Sequence, residues 1–159
     1  MKKRSGFIDW NMYFMGVALL TAQRSKDPNT QVGVCIVNND NKIISTGYNG
    51  LPNGYSDDKI NWDNNGEFLN SKYAYVCHAE LNAILNANSS LNRAKMYINI
   101  FPCNECAKAI IQSGISEVIF ILDRSNGKDS NIAAKRLLDE CNVKYTQYDI
   151  QEKTLRLVL

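Results

Sequence analysis

The sequence predicts an α/β fold in a single domain. In the second half of the chain, helical and extended patterns alternate, which is typical of a sheet with parallel neighbours and helices on both faces. Nearer the start, two β-branched runs flank a short polar turn and indicate a hairpin. The length of 159 residues suits one compact domain with its own core. Because no repeat, linker or low-complexity segment interrupts it, residues 1–159 are expected to form one domain.

Periodicity and turn residues place each element. The first helix is predicted over 8–23, with Asp9 as its N-cap. It stops at the segment SKDPNT, where Pro28 disfavours a helical conformation at Asp27. The later elements are strands over 31–38 and 42–49, a helix over 78–88, a strand over 95–100, a helix over 103–113, a strand over 117–122, a helix over 131–141 and a strand over 143–150.

A long irregular stretch, residues 50–73, separates the hairpin from the second helix. It is rich in Asn, Asp and Gly, and a loop of this length inside a small domain is usually functional or disordered. Tyr55 and Trp62 within it favour order.

Composition excludes several classes of protein. The formal net charge of +2 is not the basic footprint of a nucleic-acid-coating protein, and no run approaches the roughly 18 to 20 apolar residues of a membrane span. The basic N-terminus is not followed by the apolar core and cleavage site of a signal peptide. Five cysteines, an odd number, favour free or metal-bound thiols. We therefore expect a cytoplasmic protein with neither a membrane nor a nucleic acid as partner.

The segment FPCNECAKAIIQSGI carries the first chemical motif. Cys103 and Cys106 open a predicted helix, and side chains three residues apart share one helical face. The positive end of the helix favours thiolates there. Such a pair indicates either a redox site or half of a zinc site.

The segment YVCHAELNAIL contains the chain's one histidine, His78. Two cysteines and this histidine would give zinc three ligands and leave its fourth position open for water, which is typical of catalytic sites. Glu80, two positions further on, would stand beside the metal and shuttle protons. The combined pattern H-x-E…P-C-x-x-C is the signature of zinc-dependent nucleobase deaminases.

Alternatives remain for these residues. A lone histidine at a helix start is usually a hydrogen-bonding residue, and Cys103 with Cys106 would also suit a redox pair. Cys77 adjoins the histidine, and as a fourth ligand it would close the shell and make the site structural; the catalytic interpretation needs it to be a packing residue. Cys35 and Cys141 are expected to be small core residues.

Four segments of the chain resemble the deoxycytidylate (dCMP) deaminase family: AQRSKDPNTQVGVCIVN, GYNGLPNGYSDD, YVCHAELNAI and FPCNECAKAIIQSGISEVIF. The resemblance implies a three-layer α/β/α sandwich around a five-stranded mixed sheet. It implies a zinc-dependent conversion of dCMP to dUMP, which supplies thymidylate synthesis. It also implies a homohexamer that dCTP with Mg²⁺ activates and dTTP inhibits.

The resemblance also assigns roles to single residues. Glu80 would be the catalytic proton carrier and His78, Cys103 and Cys106 the zinc ligands. The expected substrate-binding residues are Asn49, for the sugar hydroxyl, and Ala79, with Arg24, Ser25 and Lys26 near the phosphate. The effector is expected to contact Gly50, Asn53, Gly54 and Asp58. A plain Asn-Gly turn and a solvated helix end are the alternatives for Asn49 and for the residues near the phosphate.

One segment departs from the family pattern. Relatives commonly carry a tyrosine shortly after the fourth strand, whereas this chain has ILDRSNGKDSN, with Arg124 and Ser125. Either Arg124 takes over part of the phosphate binding or the loop follows a different course. Rival functions are a superfamily deaminase that acts on another cytosine nucleotide or on tRNA adenosine, and a structural or binding module stapled by zinc. The near-neutral charge disfavours an RNA substrate.

Overall fold

The computed structural model describes residues 1–63 and 67–150. Residues 64–66, part of the predicted long loop, and residues 151–159, which the one-domain prediction included, lie outside the described residues. The helices and strands are α1 Trp10–Ala22, β1 Gly33–Val37, β2 Ile43–Tyr48, α2 Ala79–Leu85, β3 Lys95–Ile100, α3 Asn104–Gln112, β4 Glu117–Leu122, α4 Asp129–Glu140 and β5 Lys144–Gln147. Short 3₁₀ turns cover Asp57–Lys59, Phe68–Asn70 and Lys72–Ala74.

Within these ranges the strands form one five-stranded sheet in the order β2-β1-β3-β4-β5. The predicted hairpin is confirmed, because β1 pairs antiparallel with β2. β1 also pairs antiparallel with β3, while β3, β4 and β5 run parallel. The sheet is therefore mixed, and the predicted fold class is confirmed.

The sheet is covered by helices on both faces. All five residues of β1 are buried, because this strand has a helix layer on either side. Against one face, α1 packs in a cluster of Phe14, Met15, Ala18, Cys35, Val37, Tyr97 and Ile119. On the other face lie α2, α3 and α4, in a larger cluster that includes Val34, Ile36, Ala83, Ile98, Ile110, Ala134 and Leu138. This arrangement is a three-layer α/β/α sandwich.

Two glycines allow helices to approach the sheet closely. A Cβ on Gly33 would lie 2.1 Å from the carbonyl oxygen of Ala18 in α1. On Gly47 it would lie 2.3 Å from the backbone nitrogen of Ala83 in α2. Ser45 adds a hydrogen bond of 2.6 Å from its Oγ to the Ala83 carbonyl. The helix that carries the H-x-E motif is thus held directly against β2.

Element boundaries differ from the predictions by a few residues. Asp9 is the N-cap of α1 as predicted, and its carboxylate accepts a hydrogen bond of 2.8 Å from the Met12 amide. The helix predicted over 78–88 ends at Leu85, and the strand predicted over 143–150 covers Lys144–Gln147. In the described part of the chain, no helix combines the length and apolar character that crossing a bilayer requires.

The two cysteines expected in the core behave differently. Cys35 is fully buried in β1, as predicted. The prediction for Cys141 is wrong, since its side chain is exposed. Cys141 is the C-cap of α4, where the chain leaves the helix towards β5. Helical periodicity therefore no longer orients its side chain towards the core.

Candidate active site

Two helix starts bring the motif residues together. His78 is the N-cap of α2 and Cys103 is the N-cap of α3. Cys106 follows in the first turn of α3, so its side chain lies on the same end of that helix as Cys103. Because α2 and α3 pack on the same face of the sheet, their first residues converge.

The three side chains form a compact donor set. The Sγ atoms of Cys103 and Cys106 lie 3.6 Å and 3.3 Å from Nδ1 of His78. Zinc with ordinary Zn–S and Zn–N bonds in tetrahedral geometry places its sulfur and nitrogen ligands about 3.6 Å apart. Both the separations and the borderline-soft donor chemistry therefore fit zinc. Among the described residues this group consists of His78, Cys103 and Cys106, and Cys77 is not part of it.

A hydrogen bond from Cys106 to Cys103 couples the two thiols. This hydrogen bond, and a weaker contribution from His78, together lower the pKa of Cys103 to about 3 against the opposing effect of burial. The same hydrogen bond, together with burial, raises the pKa of Cys106. The hydrogen bond to Cys103 raises the pKa of His78. A metal ion that takes up both sulfurs must displace the proton that Cys106 donates, so binding will release protons.

Glu80 lies in the first turn of α2 and is buried, with 5% of its surface exposed. Burial is the main cause that raises the pKa of its carboxyl group, and the charge of His78 opposes this rise. A carboxyl group whose pKa is raised in this way is better able to take up a proton and release it again during a reaction. Glu80 thus has the environment of a proton carrier beside a metal site.

A cavity of about 440 Å³ opens beside this cluster. Its volume is within the range of small-molecule sites. Its walls come from separate stretches of the chain: Asp27, Thr30, Val32, Asn49, Lys72, Tyr73, Val76, His78, Ala79, Glu80, Ile100, Phe101, Cys103, Arg124, Ser125 and Lys128. The cavity is therefore lined by three of the predicted catalytic and substrate-binding residues, Asn49, Ala79 and Glu80. Two of the three predicted metal ligands, His78 and Cys103, line it as well.

Asn49 is buried in the cavity wall with its amide held at both ends. Its Oδ1 accepts a hydrogen bond of 2.8 Å from the Val32 amide, and its Nδ2 donates one of 2.9 Å to the Thr30 carbonyl. Each amide atom can make one more hydrogen bond. The side chain is thus oriented by the backbone and still able to bind a hydroxyl group.

The residues predicted near the phosphate lie elsewhere. Arg24, Ser25 and Lys26 are outside the lining that the described part of the chain gives the cavity. The Arg24 guanidinium stands 5.9 Å from the centre of the Tyr48 ring. Ser25 Oγ donates a hydrogen bond of 2.9 Å to the Asn49 carbonyl, and Lys26 forms an exposed ion pair with Asp57. Their phosphate role stays a prediction.

The predicted effector segment is connected to the site through its first residue. Gly50 and Cys77 exchange backbone hydrogen bonds of 3.1 Å and 2.8 Å, directly before His78. Further along, Asn53, Gly54 and Asp58 are exposed. Tyr55 and Trp62, the two aromatic residues expected to favour order in this loop, both make contacts. The ring centres of Tyr55 and Tyr75 are 5.8 Å apart, and Trp62 Nε1 donates a hydrogen bond of 3.1 Å to the Asp57 carbonyl.

Sequence reasoning missed several cavity residues, among them Asp27, Lys72, Phe101 and Lys128. Asp27 lies in one of the segments that resemble the family, but its local pattern, SKDPNT, predicts only the end of a helix and a turn. Lys72 carried no signal, because its place in a long irregular loop predicts no position in space. These residues are brought to the cavity by contacts distant in sequence.

Comparisons with known proteins identify the family of this chain. The family model of the cytidine and deoxycytidylate deaminase zinc-binding region matches residues 8–122. The deoxycytidylate deaminase of Homo sapiens is 54% identical over 149 residues, which cover 92% of this chain and 84% of that protein. The probable deoxycytidylate deaminase of Drosophila melanogaster is 48% identical over 162 residues, which cover 98% and 80%.

A solved structure gives the same fold. The crystal structure of the dCMP deaminase of cyanophage S-TIM5, in complex with dCMP and dUMP, superposes with a TM-score of 0.69 at 24% identity. The match covers 86% of this chain and 95% of that one. At this identity the likeness concerns the fold, whereas the family match rests on the sequence. This chain belongs to the cytidine and deoxycytidylate deaminase family.

Proposed function

We propose that this protein is a zinc-dependent deaminase that hydrolyses dCMP to dUMP and ammonia. The observation that carries the proposal is the arrangement of His78, Cys103 and Cys106 around one point, with buried Glu80 in the same cavity. The 54% identity to a human protein named deoxycytidylate deaminase supports dCMP as the substrate.

The residues of the site account for the chemistry. When bound, zinc supplies a Lewis acid that lowers the pKa of a coordinated water from about 15.7 towards 7. Glu80 accepts a proton from the attacking water and delivers it to ring N3 of cytosine. Water oxygen adds at C4, the C4–N4 bond breaks, and Glu80 hands a second proton to the departing amine. The balance is one water consumed and one ammonia released.

Recognition of the nucleotide is divided between two parts of the wall. We propose that the Asn49 amide binds the sugar hydroxyl, for which its fixed orientation and remaining hydrogen-bonding capacity are suited. Arg124 and Lys128 line the same cavity and bring positive charge to it. Of the two alternatives for the departure after the fourth strand, their position favours a role for Arg124 in binding the 5′-phosphate.

Regulation and assembly are part of the proposal. Activation by dCTP with Mg²⁺ and inhibition by dTTP would act through Gly50, Asn53, Gly54 and Asp58. The backbone pairing of Gly50 with Cys77 supports this, since it connects the segment to the zinc site. A homohexamer is supported by exposed apolar side chains on α1 and α2: Trp10, Leu20 and Leu85. A cytoplasmic location is supported by the five cysteines, all within the described ranges and all free thiols.

One assay tests activity and regulation together. Purified protein is incubated with dCMP, cytidine or dCTP, and the ultraviolet change and ammonia release are followed. We expect turnover of dCMP, one zinc per chain, and a saturation curve that dCTP with Mg²⁺ and dTTP shift in opposite directions. One zinc per chain with no turnover of any substrate would contradict the proposal and favour a structural zinc module.

A further inference from the structure

The cavity wall contains an ion pair that is almost completely withdrawn from solvent. Lys72 Nζ lies 2.7 Å from each carboxylate oxygen of Asp27, and the two side chains are 5% and 4% exposed. Both residues line the cavity that also contains Glu80. The free energy needed to remove two charges from water is often larger than the free energy gained from their attraction. A buried ion pair is therefore weak evidence for a purely stabilising role. The proton transfers of deamination do not use this pair.

The Asp27 carboxylate holds the turn that follows Pro28. Its Oδ1 accepts hydrogen bonds from the amides of Asn29, at 2.9 Å, and Thr30, at 3.3 Å. The Lys72 ammonium donates to both carboxylate oxygens, which neutralises the charge and fixes the side chain in this geometry. The conformation of the turn therefore depends on both members of the pair.

The same turn orients Asn49. The Thr30 amide bonds to Asp27, while the Thr30 carbonyl accepts from Asn49 Nδ2 at 2.9 Å. Two residues on, the Val32 amide donates to Asn49 Oδ1 at 2.8 Å. Both ends of the Asn49 amide are thus set by backbone groups of a segment that the ion pair holds. Lys72 and Asp27 therefore act on Asn49 indirectly, through the backbone of this turn.

Lys72 also connects this segment to the start of α2. Its carbonyl oxygen accepts hydrogen bonds from the amides of Tyr75, at 3.0 Å, and Val76, at 2.9 Å. These bonds shape the turn that leads into His78. One residue therefore relates the position of Asn49 to that of the proposed zinc ligand.

We propose that the Lys72–Asp27 pair positions Asn49 for the 3′-hydroxyl of the substrate and so sets the preference for nucleotides that carry this group. In dCMP the 5′-oxygen is esterified, which leaves the 3′-hydroxyl for Asn49 to bind. The inference rests on the proposed function, in which Asn49 contacts the sugar. Lys72 and Asp27 are positioning residues and act through Asn49.

The experiment compares dCMP with 2′,3′-dideoxycytidine 5′-monophosphate, which lacks the 3′-hydroxyl. The readout is the ratio of their kcat/KM values, which does not depend on the fraction of active enzyme. Asn49→Ala gives the ratio expected when the contact is lost. We expect about a tenfold fall from wild type, the effect of one neutral hydrogen bond, mainly through KM for dCMP.

Two double variants remove the buried charge and differ only in the acceptor for the turn. Lys72→Met with Asp27→Asn keeps an amide oxygen that can accept from Asn29 and Thr30, so we expect it to retain most of the wild-type ratio. Lys72→Met with Asp27→Ala lacks that oxygen, and its ratio should fall towards that of Asn49→Ala. Lys72→Met alone leaves Asp27 unpaired and should also lower the ratio. Lys95→Met is the control, because it breaks a partly exposed pair with Glu117 at the start of β3, whereas the cavity lies at the end of that strand.

Ratios at the wild-type level in both double variants would overturn the inference, since the pair would then serve stability alone. A Lys72→Met protein with a lower melting temperature but the wild-type ratio of kcat/KM values would also overturn the inference. If Lys72→Met does not fold, the inference is judged from the ratios of the two double variants. An Asn49→Ala enzyme with the wild-type ratio would instead contradict the sugar contact in the proposed function, and the inference would fall with it.

Discussion

At the scale of single residues, the proposed mechanism assigns proton transfer and metal binding to different side chains. Glu80 is buried beside the metal cluster but is not needed as a ligand, because His78, Cys103 and Cys106 already supply three donors. Its chemistry can therefore be removed without removing the metal.

We expect Glu80→Gln to keep its fold and zinc content and to lose kcat by roughly 10²- to 10⁴-fold, the usual contribution of a positioned acid–base group. Steady-state kinetics, zinc analysis and circular dichroism on the same preparation check this. An active, zinc-loaded Glu80→Ala protein would contradict the assignment.

Arg124 allows a second test at this scale. Replacing it with Gln should raise KM for dCMP roughly 10- to 100-fold, because a charge-assisted hydrogen bond to phosphate is lost. Turnover of deoxycytidine, which has no phosphate, should change little. Arg136→Gln is a matched control, since Arg136 is exposed on α4 and lies outside the lining described for this cavity. Equal losses with both substrates would argue that Arg124 only shapes the loop.

At the scale of elements, the position of α2 depends on its close approach to β2 at Gly47. A Cβ there would lie 2.3 Å from backbone atoms of α2, which cannot move independently of the helix. We expect Gly47→Ala to destabilise the fold by about 1 to 3 kcal/mol and to lower activity, because α2 carries His78 and Glu80.

The control for this variant is Gly16→Ala in α1. In the described part of the chain a Cβ on Gly16 would meet no heavy atom within 4 Å outside its own helix. Alanine is favoured over glycine inside a helix, so this change should leave stability unchanged or raise it. Thermal unfolding and kcat/KM of both variants are compared. Equal melting temperatures would show that the α2–β2 spacing tolerates a methyl group.

At the scale of the whole molecule, the core makes the fold sensitive to alkaline pH. Burial raises the pKa of both Cys35 and Tyr97 to about 12. Both groups are neutral when protonated, so the folded state retains protons that the unfolded chain loses from about pH 9 upwards. The free energy of unfolding should therefore fall as pH rises above 9.

Cys35 alone should account for roughly 1 to 2 kcal/mol of this fall by pH 10. Urea unfolding of wild type and Cys35→Ala at several pH values between 7 and 10.5 tests this prediction. The free energy of unfolding should fall less steeply with pH in the variant. Identical slopes would contradict a role for Cys35.

What could be predicted from the sequence follows from the range of the interactions. The helix and strand types, the hairpin, Asp9 as a cap and the H-x-E and P-C-x-x-C motifs depend on side chains a few residues apart, so the sequence alone determined them. His78 and Cys103 could be paired in advance because zinc chemistry demands that donors from both motifs meet.

The tertiary structure alone decided which distant segments form the cavity. It paired Lys72 with Asp27 in the cavity wall, where Asp27 holds the turn that contacts Asn49. It also put Arg24 and Lys26 outside the described cavity lining and left Cys141 exposed. These outcomes depend on loop paths and helix ends, where neither periodicity nor a motif constrains direction. The physical reason is that contacts between residues far apart in sequence are set by packing of the whole sandwich, which no local pattern records.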